Sequence, residues 1–192
     1  MMDGRFAPAA WALVSFLLGA ANPARAFDVL SIEVTHAADV FHVRLEARLD
    51  APVNAVEAVL RDYDRYPGLD PRIEEARVLE RLAPDRVLLF TRLRACAGIF
   101  CRTIERVEEV EERRRELLAY AIPERSDLHA GSTHTVLTGR RGQTLVRYRS
   151  TFVPDFWVPD LIANGLAVRA LEDATLALFR NVERRATDLQ AR

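Results

Sequence analysis

The sequence predicts an α+β domain in which one antiparallel sheet packs against a long C-terminal helix. Three observations predict it. Apolar and polar residues alternate through Phe41–Leu49 and through most of 73–153, in runs of eight to twelve residues broken by short turns, the pattern of an antiparallel meander. Apolar or small residues then recur at 161, 165, 168, 171, 175, 178, 182 and 186, steps of three and four that share one helix face. The 192 residues are enough for one sizeable core and few for two.

The first 26 residues stand apart. Arg5 precedes an apolar run from Phe6 to Ala21, the breakers Asn22 and Pro23 follow, and Ala24-Arg25-Ala26 supplies a small-x-small triplet. This is the layout of a secretory signal peptide cleaved before Phe27. The run is short for a membrane span. The expected division is therefore a signal peptide over 1–26 and one domain over 27–192, with the mature chain periplasmic or secreted.

From Phe27 to Leu49 the chain reads as two strands joined by a turn at Ala37-Ala38-Asp39. In the second strand Phe41, Val43, Leu45, Ala47 and Leu49 form one apolar face, which leaves His42 on the polar face. Asp50-Ala51-Pro52 breaks the strand. Val53, Val56, Val59, Leu60 and Tyr63 then repeat at helical spacing, with Pro52 suited to a first turn. The helix ends before Tyr66-Pro67-Gly68 because a residue preceding proline disfavours helix.

Six strands follow, at 73–82, 86–96, 101–110, 115–122, 130–138 and 143–153. Val87, Leu89, Thr91 and Leu93 share one face, and Val146, Tyr148, Ser150 and Phe152 share another. The last element is a helix from Pro159 to Leu189, about 45 Å long at 1.5 Å per residue, which needs a broad apolar surface to cover its stripe.

Cys96 and Cys101 flank Ala97-Gly98-Ile99-Phe100. If Gly98-Ile99 is a two-residue type II′ turn, Cys96 faces Cys101 at a non-hydrogen-bonded position about 4.5 Å away. That separation admits a disulfide, and an exported chain would oxidise it. The alternatives are a redox-active pair or a metal site with His129 or His134, but C-x4-C lacks the spacing of either.

The net charge of −1, with arginines and acids interleaved, gives no bulk reason to expect nucleic acid. Phosphate loops, dinucleotide fingerprints, zinc-protease motifs and serine elbows are absent, so no catalytic residue, metal or cofactor is expected. Glu108, Glu109, Glu111 and Glu112, beside Arg113 to Arg115, read as a charged hairpin tip.

The order strand, helix, six-strand meander and long C-terminal helix resembles the START-like, or SRPBCC, superfamily, which includes polyketide cyclase/lipid-transport and birch-pollen-allergen-like proteins. The local signature is Asp50-Ala51-Pro52, Val56, Val59, Asp62-Tyr63, Tyr66-Pro67, Pro71, Ile73 and Val78, and the resemblance spans about Asp39 to Gln190. It implies a helix-grip fold, a curved antiparallel sheet wrapped around the long C-terminal helix, with a hydrophobic cavity between them. It also implies a small hydrophobic ligand such as a lipid, sterol or quinone. The export signal and the cysteine pair depart from cytoplasmic members.

On that resemblance the expected function is an exported carrier, and the alternative is a cyclase- or hydrolase-type enzyme using polar cavity residues. The expected ligand-binding residues are Leu89, Leu93, Val146 and Phe152 on the sheet and Leu161, Gly165, Val168 and Leu171 on the helix, with Tyr120, His134 and Tyr148 as polar groups orienting the ligand. Gly165 is expected to open space between helix and sheet. Transient contact with a membrane or a transport protein is an expected partner interaction; the sequence leaves the oligomeric state open.

Overall fold

The computed structural model describes residues 27–191, so the predicted signal peptide lies outside the described residues. Among the described residues, eight antiparallel strands form one sheet: β1 (Asp28–Ala37), β2 (Val40–Leu49), β3 (Ile73–Ala83), β4 (Arg86–Ala97), β5 (Phe100–Arg113), β6 (Glu116–Ala121), β7 (Leu128–Arg140) and β8 (Gln143–Pro154). Their order across the sheet is β1-β2-β8-β7-β6-β5-β4-β3, so β2 crosses to pair with β8 and the meander fills the rest. Helix α1 (Val53–Arg61) and a 3-10 segment (Tyr63–Gly68) link the two halves. At the end of the chain a π-helical segment (Ile162–Ala167) runs straight into α2 (Val168–Gln190). This is the curved sheet and long C-terminal helix of the helix-grip fold.

The core fills one half of the grip. Leu45, Ala47 and Leu49 of β2 and Val146 of β8 meet Val56, Val59 and Leu60 of α1 and Phe179, Val182 and Ala186 of α2, all buried. Burying side chains of this size contributes roughly 1.5–3 kcal/mol each relative to exposure. Gly139 permits the close approach of α1 to β7, because a Cβ there would sit 2.8 Å from Val53 Cγ1. Polar clasps fix α2 against the corner before β3. Asn181 donates to the Leu69 carbonyl at 2.6 Å, and Arg72, held by the buried Asp70 carboxylate, reaches the Ala174 carbonyl at 3.3 Å.

Two helix starts differ from the sequence reading. Pro52 is the residue before the first turn of α1, not within it, and its carbonyl accepts from the Ala55 and Val56 amides. The C-terminal helix opens with a π turn, which changes the phase of the apolar stripe. Ala163 is fully buried, while Leu161, two positions away, is 87% exposed. Residues two apart point to nearly opposite sides of a helix, so Leu161 stands on the side away from Ala163. Farther along, Thr175, Phe179, Val182 and Ala186 are the buried positions.

Candidate ligand chamber

Strand register decides which side chains can face the helix. The pairs Leu45↔Tyr148, Tyr148↔Thr135, Thr135↔Leu117 and Leu117↔Glu112 run across one concave face, and Val110↔Val87 lies on the same face. Beyond the packed core this face continues toward the π-helical end. There it presents Thr91 and Leu93 of β4, Ile104, Arg106 and Glu108 of β5, Ala119 and Ala121 of β6, Thr133 of β7, and Ser150 and Phe152 of β8.

Within this apolar setting lies a set of buried polar groups. Thr91 faces Arg106 directly across β4 and β5. Arg106 Nε is 3.2 Å from Glu108 Oε2, but the alignment is too poor for a hydrogen bond, so the contact is ionic. Glu108 is 5% exposed and Thr91 fully buried. Thr91 Oγ1 and Arg106 Nε are both buried without a hydrogen-bond partner. On the other side, Thr133 and Ser150 share a hydrogen bond of 3.1 Å near the Tyr148 ring. Burial holds the Tyr148 phenol above its ordinary pKa, against the lowering effect of Ser150 and the Arg106 charge. Tyr66, shifted up mainly by burial and next by the Glu108 charge, donates to the Leu60 carbonyl at 2.6 Å.

The rim is formed by the β4–β5 hairpin tip and the segment leading into the helix. The Cys96–Cys101 disulfide closes the tip, with Cα atoms 4.0 Å apart, and Gly98 takes the positive φ of 64° that the predicted turn requires. A Cβ on Gly98 would lie 3.4 Å from Leu166 Cδ1, so the tip touches the π-helical segment. Arg102 lies over the Phe156 ring at 4.1 Å and bridges the tip to the β8–helix connection. Ile99, Phe100, Trp157, Leu161 and Leu166 are exposed at this end. Beside it a cleft of about 260 Å³ is lined by His36, Phe41, Trp157 and neighbours, including a His129–Asp155 pair at 2.8 Å. Phe41 stacks on Phe152 at 5.2 Å, which joins the cleft to the concave face.

The sequence-predicted residues fall into three groups. Leu89, Leu93, Val146, Tyr148 and Phe152 lie on the concave face. Of these, Leu89 and Val146 are packed into the core, and Tyr148 sits edge-on to Phe179 at 5.3 Å. Val168 and Leu171 are half-buried on the helix. The remaining four are Leu161, Gly165, Tyr120 and His134. Leu161 is turned outward and 87% exposed, whereas Gly165 is half-buried and a Cβ on it would meet open space. Tyr120 and His134 lie on the convex face, because their neighbours Leu117 and Thr135 are the buried concave pair. Tyr120 is 51% exposed, and His134 bonds to Glu116 at 2.6 Å.

Sequence reasoning passes over Arg106 and Glu108. It puts Glu108 in a charged hairpin tip, yet β5 continues to Arg113 and Glu108 lies inside, opposite Leu89. The cysteine pair carries the missing signal. Counting back from Cys96↔Cys101 places Thr91 against Arg106 and Leu89 against Glu108. Among the described residues no group of three or more metal-ligating side chains comes together.

Comparison with known proteins gives a consistent picture. The family described as polyketide cyclase / dehydrase and lipid transport matches residues 40–187. A protein of Thermus thermophilus superposes with a TM-score of 0.66 at 16% identity, covering 77% of this chain and 98% of its own. A STAR-related lipid transfer protein from Xanthomonas axonopodis gives 0.63 at 17% identity, covering 82% of this chain and 98% of its own. The Zhui aromatase/cyclase from a Streptomyces species gives 0.55 at 18% identity, covering 76% of this chain and 93% of its own. At these identities the likeness is one of fold. No curated protein matches the sequence.

Proposed function

The chain belongs to the polyketide cyclase / dehydrase and lipid transport family, and from that premise we propose that it is an exported carrier of a small hydrophobic ligand. The ligand lies between the concave face of the sheet and the first half of the C-terminal helix. The observation that carries this reading is that Thr91 Oγ1 and Arg106 Nε, on facing residues of β4 and β5 beside Glu108, are both buried without a hydrogen-bond partner. A buried polar group without a partner costs about 1–3 kcal/mol. A ligand that offers a polar atom there recovers that cost, and its apolar body covers Leu93, Ile104 and Phe152.

The charge balance narrows the ligand. Arg106 and Glu108 neutralise each other, so a free carboxylate would gain Arg106 and be repelled by Glu108. A neutral hydroxyl or carbonyl accepts from Arg106 without that penalty. The ligand class is an apolar molecule with one neutral oxygen function.

Export fits the remaining features. On this reading residues 1–26 are the signal peptide and 27–192 the carrier domain. The Cys96–Cys101 bond suits an oxidising compartment. No described helix is long and apolar enough to cross a membrane. The exposed Ile99, Phe100, Trp157 and Leu161 at the rim supply a surface for brief contact with a membrane or a delivery protein.

Titration with fluorescent long-chain alcohol, ketone and fatty-acid probes tests this reading. The alcohol and ketone should bind at one site, more tightly than the acid, and weaken in Thr91→Val. Absence of saturable binding by all three probes would remove the carrier reading. Turnover of a bound probe, lost in Glu108→Gln, would replace it with an enzymatic one.

A further inference from the structure

Glu183, on the second half of α2 and away from the chamber, uses its two carboxylate oxygens on two separate backbone segments. Oε1 accepts from the Phe27 backbone nitrogen at 3.1 Å, and Oε2 accepts from the Asp50 backbone nitrogen at 3.1 Å. The carboxylate thus ties the first residue of the predicted mature chain to the link between β2 and α1. Phe27 is itself seated: its ring packs on the core and lies under the Arg180 guanidinium at 5.5 Å. Burial pushes the Glu183 carboxyl above its ordinary pKa, against the lowering effect of the two backbone bonds. Among the described residues no arginine, lysine or histidine forms a salt bridge with this carboxylate.

We propose that Glu183 is the receptor for the amino terminus created by cleavage after Ala26, so that processing itself completes the fold with an ion pair. Hydrolysis of the Ala26–Phe27 peptide bond by a signal-peptidase-type endoprotease consumes one water. The hydroxyl goes to the Ala26 carbonyl carbon and the hydrogen to the Phe27 nitrogen, which then takes a proton from solvent. An amide donor 3.1 Å from Glu183 Oε1 becomes an ammonium. The ionised acceptor already strengthens the amide bond, and the ammonium adds the Coulomb attraction of a second full charge. The charged groups around this amine are Glu183 and Arg180 on α2, Asp50 after β2, and the Asp28–Arg48 pair at 3.1 Å across β1 and β2. The carboxylates nearest the nitrogen favour its charged form. This inference rests on the export part of the proposed function and needs no ligand.

The full chain is expressed in an export-competent host, alone and with two serines inserted between Ala26 and Phe27. The insertion moves the new terminus by up to about 7 Å. Each form is also made with Glu183→Gln, and N-terminal sequencing confirms each start. With the native glutamate the form beginning at Phe27 should melt about 2–4 °C above the inserted form. With Glu183→Gln in both, the two forms should melt together. A gap that is absent with the native glutamate, or that persists in Glu183→Gln, overturns the proposal, as does a mature chain beginning elsewhere. A second readout keeps the native glutamate. The α-amine, titrated by its rate of acylation, should have a pKa above the ordinary value of about 8 when Phe27 is first, and that value in the inserted form. An ordinary value in both overturns the proposal, whereas failure of ligand binding leaves these measurements unaffected.

Discussion

Thr91 and Arg106 stand directly opposite each other on the concave face, and Thr91 Oγ1 and Arg106 Nε both lack a hydrogen-bond partner while buried. Proteins rarely leave such groups unpaired. They lie on the concave face beside the buried Glu108 carboxylate, where the proposed ligand would meet them.

Thr91→Val separates stability from binding. Replacing the hydroxyl by a methyl keeps the shape and removes an unpaired polar atom, so stability should hold or rise by up to about 1 kcal/mol. Affinity for a long-chain alcohol should fall about fivefold to tenfold, the equivalent of one neutral hydrogen bond. Thermal melts and probe titration of the same preparation check both halves.

Arg106→Met should be costly in a way that Thr91→Val is not. It leaves the Glu108 carboxylate, 5% exposed, without its cation. Breaking a fully buried pair costs roughly 3–5 kcal/mol, and the partial exposure of Arg106 reduces this to about 2–3 kcal/mol. The double variant Arg106→Met/Glu108→Leu should recover most of the loss. Denaturant unfolding of the three variants measures the coupling.

Cys96→Ala opens the hairpin brace. The loop is short, so the loop-closure contribution is about 2 kcal/mol. A drop in melting temperature of about 4–8 °C follows for a domain of this size. A reducing agent should lower the native protein by the same amount and leave the variant unchanged.

Gly165→Ala tests the phase of the helix. A Cβ there meets open space, and glycine within a helix costs about 1 kcal/mol relative to alanine. The variant should melt about 2–4 °C higher and bind probes as the native protein does. Weaker binding would put Gly165 on the chamber side.

The architecture is legible in the sequence because it rests on period and spacing. Alternation in Phe41–Leu49 marks the concave face of β2, and the steps through Thr175, Phe179 and Val182 mark the buried face of α2. The turn at Gly98-Ile99 follows from glycine's freedom at positive φ, and with it the facing of Cys96 and Cys101. The site is less legible, for two physical reasons. A π turn adds a residue to the helix without any mark in composition, so a stripe read at regular helical spacing takes in Leu161, which leaves it. Strand parity also has to be counted from a fixed pair. The chemistry of Tyr120 and His134 suits a chamber, but their convex position follows only from the register of β6 with β7. Glu108 shows the converse: among several glutamates it reads as surface charge, and its place opposite Leu89 makes it interior.

The most direct test is mass spectrometry of material extracted from the protein purified natively from its own host. The account predicts one apolar molecule per chain, bearing a neutral hydroxyl or carbonyl and depleted in the Thr91→Val variant prepared in parallel. A chain that carries no such molecule and takes up none from mixed lipid vesicles would contradict it.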